Sequence, residues 1–265
     1  MIKDVFNFTE STTHSPSNDF FQLHTHEWYE VLLFLEGDSQ YIIEGRTYSL
    51  DPFDIIVIRH QEMHRIYHNS NADYKRILLT IYPSFFKIYH CELYEKQFKD
   101  TVSCGNKINA AVVKSSGIYD SFVRLRKYYN NHLDMPDAPV IIASIIELLY
   151  LLQNASSFAA TDYTHSAVSS IISYLNNNYM NDINLDLLSK KFYLSKYYIC
   201  REFKKTTGLT INKYMRRKRL AKFKELQENG LSVIDAALEV GFHSYNSFYN
   251  AYISEFGVSP RNKTK

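Results

Sequence analysis

The sequence predicts a two-domain α+β protein: a β-sandwich or barrel with two or more helices, then an all-α domain of two helix-turn-helix units joined by a long helix. Three observations carry this. Residues 20–82 alternate β-branched and aromatic stretches with turn residues. After Pro83 the apolar spacing changes to threes and fours. Beyond residue 166 the chain repeats itself at an offset of about 49 residues.

In chain order, the first strands are Tyr29-Glu30-Val31-Leu32-Leu33-Phe34-Leu35, Tyr41-Ile42-Ile43 and Asp54-Ile55-Ile56-Val57-Ile58, separated by Gly37-Asp38 and Glu44-Gly45. Ile118, Phe122, Leu125, Tyr129 and Leu133 then mark one face of a helix, and Pro139 opens a second over the apolar run Val140 to Leu152. These two helices pack either on the sandwich or on a second subunit. Small and polar residues from Asn154 to Asp162 read as a linker, which gives domains of 1–153 and 166–265 with 154–165 between them. In the second domain Ser195 maps onto Ser244, Phe203 onto Tyr252, Gly208 onto Gly257 and Leu209 onto Val258. Each copy runs from a short helix (Leu185 to Phe192; Val233 to Val240) through a turn to a helix with a capping serine and a closing glycine. Ile211 to Glu228 reads as one helix between the copies, about 27 Å long at 1.5 Å per residue.

Composition narrows the function classes. The 265 residues, 45% of them hydrophobic, suffice for two cores. The run Val140 to Leu152 contains Glu147 and falls short of the roughly 20 residues a bilayer demands. The first residues show no export signal, so a cytoplasmic protein with no membrane association is expected. Cys91, Cys104 and Cys200 have no CxxC spacing, which argues against a disulfide framework or a zinc knuckle. The net charge of +2 conceals a split: from Ser166 onward 16 Lys/Arg face 8 Asp/Glu, while the first 165 residues hold 14 against 20. A basic tail domain behind an acidic head suits a nucleic-acid binder with a separate sensor.

The segment Tyr193 to Pro260 carries Leu194-Ser195, Arg201-Glu202-Phe203-Lys204-Lys205-Thr206-Thr207-Gly208, Arg219-Leu220-Ala221, Val240-Gly241-Phe242 and Phe256-Gly257-Val258-Ser259-Pro260. In these elements it resembles the AraC/XylS family of transcription activators, with a looser match back to about Ser166. The chain departs from the family in its ending, Arg261-Asn262-Lys263-Thr264-Lys265, which lacks the usual aromatic-basic close. The resemblance implies two helix-turn-helix units, each placing its second helix in a major groove of double-stranded DNA. By position the first unit offers Lys196, Tyr197, Cys200, Arg201 and Lys204 to base edges, and the second offers Ser244, Tyr245, Asn246 and Asn250. Arg201 suits guanine and Asn246 adenine, because both side chains make bidentate contacts. Arg216 and Lys218 on the joining helix are candidates for phosphate, whereas the resemblance places Arg219 in a structural motif.

In the first domain, His24-Thr25-His26-Glu27-Trp28-Tyr29-Glu30 with Gly37 resembles the first cupin motif, and Pro52-Phe53-Asp54 with His64 the second, Phe53 standing where the motif has glycine. Read as an extended strand, residues 24, 26, 28 and 30 share one face and line the interior. His24, His26, Trp28, Glu30, Tyr41 and His64 are therefore the expected ligand-binding residues, with a sugar among the fitting effectors. His24, His26, Glu30 and His64 are the candidate ligands for a divalent metal, set against a sensor that binds an organic ligand and no cofactor. The expected protein is a DNA-binding regulator, a homodimer and a partner of RNA polymerase if an activator, with no catalytic residues. The alternative is a metal-dependent cupin enzyme fused to a DNA-binding domain.

Overall fold

The computed structural model describes residues 5–18, 23–99, 105–132, 134–135, 138–155, 167–228 and 230–260. The chain divides into two compact units, Met1–Thr164 and His165–Lys265.

Unit 1 is a sandwich of two antiparallel sheets. One has five strands in the order β1 (Phe6–Thr13), β7 (Tyr74–Ile81), β2 (Tyr29–Glu36), β5 (Ile55–Ile58) and β8 (Lys107–Ile108). The other has three, β4 (Arg46–Ser49), β3 (Ser39–Ile43) and β6 (His64–His68). Strand β2 shows why its sequence is a continuous apolar run. Leu32 and Phe34 enter the core between the sheets, with Tyr41, Tyr48, Ile66 and Tyr74. Val31 and Leu33 point the other way, into a second core beneath the helices. A strand covered on both faces has no polar side to show.

The helices of unit 1 are α1 (Pro83–Ile88), α2 (Lys96–Lys99), α3 (Ala110–Ser115), α4 (Ile118–Asn131) and α5 (Pro139–Ala155). Ile118, Phe122 and Leu125 of α4 and Ile141, Ile145 and Leu148 of α5 are buried in the same core as Val31 and Leu33. The apolar faces of both helices thus pack on their own sheet. Glu147, the one charge in the apolar run, turns outward to Arg124 of α4 at 2.6 Å. Because α5 runs to Ala155, the first two residues of the expected linker belong to this helix. The rest of that linker, Leu133, Cys104 and residues 261–265 lie outside the described residues. Cys91 is buried, Cys200 exposed, and both are free thiols.

Unit 2 is all helical: α6 (Ala167–Asn178), α7 (Leu185–Phe192), α8 (Lys196–Thr207), α9 (Ile211–Glu228), α10 (Val233–Glu239) and α11 (Tyr245–Phe256). The repeat appears in the capping. Ser195 accepts from the Tyr198 amide and Ser244 from the Ser247 amide, while Gly208 and Gly257 close α8 and α11 at φ of 75° and 69°. Helix α9 is a shared spine. Tyr214 at its start meets Phe203 edge-on and donates to Asn176 of α6, and Leu220, Phe223 and Leu226 further along pack with Val240, Phe248 and Tyr252. No described helix is long and apolar enough to cross a membrane.

Candidate nucleic-acid interface and effector site

Helix α8 buries Ile199, Phe203 and Thr207 and exposes the opposite stripe. Tyr197, Cys200, Arg201 and Lys204, at spacings of three and four, lie exposed along it. Tyr197 is 75% exposed, unusual for a large aromatic ring on a folded surface. The Arg201 guanidinium lies near the rings of Tyr197 and Tyr198 and pairs with Glu202 at 2.8 Å. Lys196 pairs with Asp186 of α7 at 2.6 Å. In the second unit Asn246 and Asn250 are exposed on α11. Two expected reading positions also serve the fold. The Ser244 hydroxyl accepts the cap bond at the start of α11, and Tyr245 packs on Phe248.

The segment between α6 and α7, just before the first helix-turn-helix unit, packs against α9 and the second unit. Residues 179–183, between α6 and α7, form the junction. Arg219 of α9 donates to the carbonyls of Tyr179 (2.6 Å) and Asn181 (3.0 Å). His243, in the turn before α11, meets Asp182 at 2.9 Å, and Gly241 lies against the Met180 backbone. A cleft of about 360 Å³ opens here, lined by Asp182, Asn212, Arg216, Ser247 and Asn250 among others. Arg216 has a buried Nε without a hydrogen-bond partner. Nothing short-range in the sequence signals this junction, since its contacts join residues 38 to 61 positions apart. Lys218 is half-buried on the same helix.

In unit 1 the expected polar cluster assembles, but not by strand alternation. Strand β2 starts only at Tyr29, and residues 25–28 form an irregular turn. His24 is placed instead by a backbone bridge to His64, with both N–H to O distances 3.0 Å. The ligating atoms of His24, His26 and His64 lie within 4.8 Å of one another. Glu30 faces them, with Oε1 3.1 Å from His26 Nε2 and Oε2 4.0 Å from His64 Nε2. Trp28 stacks on His26 and donates its indole N–H to Glu30 at 3.1 Å.

Burial alone would raise the Glu30 carboxyl, but the His26 hydrogen bond, the charges of His26 and His64 and the Trp28 N–H outweigh it and hold the group at about 2. Burial, then the neighbouring His24 and His26, push His64 down to about 3. At neutral pH this end of the sandwich therefore holds a carboxylate beside a neutral imidazole. Tyr41 lies deeper, in the apolar core between the sheets, where burial pushes its phenol well above the ordinary range. Phe53 has φ of 77°, so the backbone keeps the left-handed turn that glycine would favour, and the ring packs on Tyr119 with Lys114 above it. Glu62 escaped the sequence reading; its backbone carbonyl accepts from His64 Nδ1 at 2.8 Å and fixes that ring.

Residues 10–132 match the AraC-like ligand binding domain family, and residues 188–265 match a helix-turn-helix domain family. The HTH-type transcriptional activator RhaS of Escherichia coli (strain SE11) is 24% identical over 248 residues, covering 93% of this chain and 88% of RhaS. Among solved structures, ToxT from Vibrio cholerae O395 is 12% identical over 97% of this chain and 96% of its own, with a TM-score of 0.38. The DNA-binding domain of AdpA in complex with a target DNA is 19% identical over 37% of this chain and 88% of its own, with a TM-score of 0.35.

Proposed function

The chain belongs to the AraC/XylS family of transcription regulators, with a DNA-binding helix-turn-helix domain behind a small-molecule-binding one, and on that premise we propose which residues read DNA and which hold the effector. The observation that carries the DNA reading is the exposed stripe of α8. Tyr197, Cys200, Arg201 and Lys204 enter one major groove, and Asn246 of α11 enters the next. Lys196, near the start of α8, and Lys218 on α9 hold flanking phosphates. Arg216 and Asn250 hold the backbone between the grooves, because both line the cleft at the junction. The effector binds at the polar end of the sandwich, against His24, His26, Trp28, Glu30 and His64. A sugar suits that mixture of aromatic and polar groups. The protein acts as a regulator and not as an enzyme, a cytoplasmic homodimer that contacts RNA polymerase as an activator, the activity carried in the name of RhaS.

The test begins with selection of an operator from random duplex DNA by the full chain, followed by affinity measurements on that operator and its single-base variants. Arg201→Ala is expected to weaken operator binding by about 1–3 kcal/mol and to relax preference at one base pair. Equal weakening on every sequence would reduce Arg201 to a phosphate contact. Arg216→Ala is expected to weaken binding on all sequences alike and to lower the slope of log affinity against log salt by about 1. An unchanged slope would remove Arg216 from the backbone contacts.

A further inference from the structure

We propose that Tyr193, in the turn of the first helix-turn-helix unit, donates its phenol O–H to a DNA phosphate at the edge of the groove that α8 enters, an inference that rests on reading α8 as a DNA-recognition helix. Both turns of the domain pass through a left-handed residue. Before α11 that residue is Gly241, at φ of 91°. Before α8 it is Tyr193, at φ of 55° and ψ of 38°. A bulky L side chain is strained in this conformation and glycine is not. The strain brings no packing in return, because Tyr193 is 94% exposed. Phe53, also at positive φ, lays its ring on Tyr119 instead. A strained residue whose ring meets almost nothing in its own chain acts on something outside it.

Three features name the DNA backbone as that partner. The N-terminal end of a recognition helix is the end that enters the groove, and Tyr193 stands two residues ahead of Ser195, the N-cap of α8. The chain just ahead of that end passes the rim, where phosphates lie, while Tyr197 and Arg201 go on to the base edges. The surroundings are basic as well. Lys190 and Lys191 in the last turn of α7 are exposed and keep the patch positive even with Lys196 paired to Asp186. Finally, the Tyr193 amide is already used, donating to the Ser189 carbonyl, so the phenol is the group that meets the strand. Tyrosine hydroxyls hold phosphates as cations do, and such contacts fix the register of a helix without reading sequence.

The experiment measures the affinity of the full chain for its selected operator and for single-base variants of it over a range of salt, together with the melting transition of unit 2. Tyr193→Phe removes one oxygen and keeps the ring. It is expected to weaken binding about 5–10-fold, the worth of one hydrogen bond, on every sequence alike and with an unchanged salt slope, since a neutral hydroxyl releases no counterion. Tyr193→Gly is expected to weaken binding at least as much while melting no lower than the parent, because it relieves the left-handed strain. A residue that served the fold would show the reverse pattern. Parental binding by Tyr193→Phe, a loss confined to one base pair, a lowered salt slope, or a lowered transition of Tyr193→Gly each overturns the proposal. If one of these occurs while Arg201→Ala still weakens binding and relaxes preference at one base pair, the Tyr193 contact falls and the reading of α8 stands. If the full chain selects no operator, both fall.

Discussion

Gly241→Ala is expected to abolish DNA binding and to lower the melting transition of unit 2 by about 12 °C or more, with unit 1 unaffected. Gly241 has φ of +91°, a conformation that costs any L side chain about 1 kcal/mol or more. The larger cost is steric. A Cβ there would lie 2.2 Å from the Met180 carbonyl oxygen and 2.9 Å from its carbon, and both are backbone atoms with no rotamer to change. The turn before α11 and the segment 179–183 would have to separate, which also strains the Arg219 clamp and the His243–Asp182 contact. More than about 3 kcal/mol is the expected total, and for a domain of 60–100 residues each kcal/mol shifts the transition by about 4–8 °C. Gly257→Ala is the control: φ is also positive, at +69°, but nothing lies within 4 Å of the added carbon, so only about 1 kcal/mol is at stake. Equal effects of the two substitutions on melting would show that the Met180 contact is not what Gly241 provides.

This pairing also marks how far the sequence could be read. The ends of α8 and α11 were legible because capping is local: a serine and a glycine at fixed distances determine each helix from within its own residues. Helix α9 was legible for the same reason, as an unbroken helical pattern from Ile211 to Glu228. Strand β1 was not, because Phe6-Asn7-Phe8-Thr9 is too short a pattern alone and becomes a strand only by pairing with β7, some 60 residues and more away. The His24 cluster was found by residue type while its geometry was misread. The sequence suggested an extended strand, whereas a backbone bridge from His24 to His64 does the placing. Ser244 and Tyr245 have structural roles that position in a recognition helix does not announce: the Ser244 hydroxyl caps α11, and the Tyr245 ring packs against the core from its edge.

The contrast between two arginines on one helix carries the largest remaining prediction. Arg216 and Arg219 are three residues apart on α9, and a reading by charge would give both to phosphates. Their surroundings separate them. Arg219 donates to the Tyr179 and Asn181 carbonyls and lies near the Phe242 ring, and its burial pushes the guanidinium below its ordinary value. Arg219→Ala removes two charge-assisted hydrogen bonds and the packing of the side-chain stem, at an expected cost of about 2–4 kcal/mol. Arg219→Lys should recover little, because an ammonium group does not reproduce the fork that spans two carbonyls. DNA binding by Arg219→Ala should fall through loss of folded unit 2. At a temperature where the unit remains folded, the salt slope of its binding should equal that of the parent, whereas Arg216→Ala lowers that slope by about 1 at an unchanged melting transition. If instead Arg219→Ala melts as the parent does and binds DNA with a reduced salt slope, Arg219 is a phosphate contact, and the junction of segment 179–183 with the second helix-turn-helix unit is held by Gly241 and His243 without it.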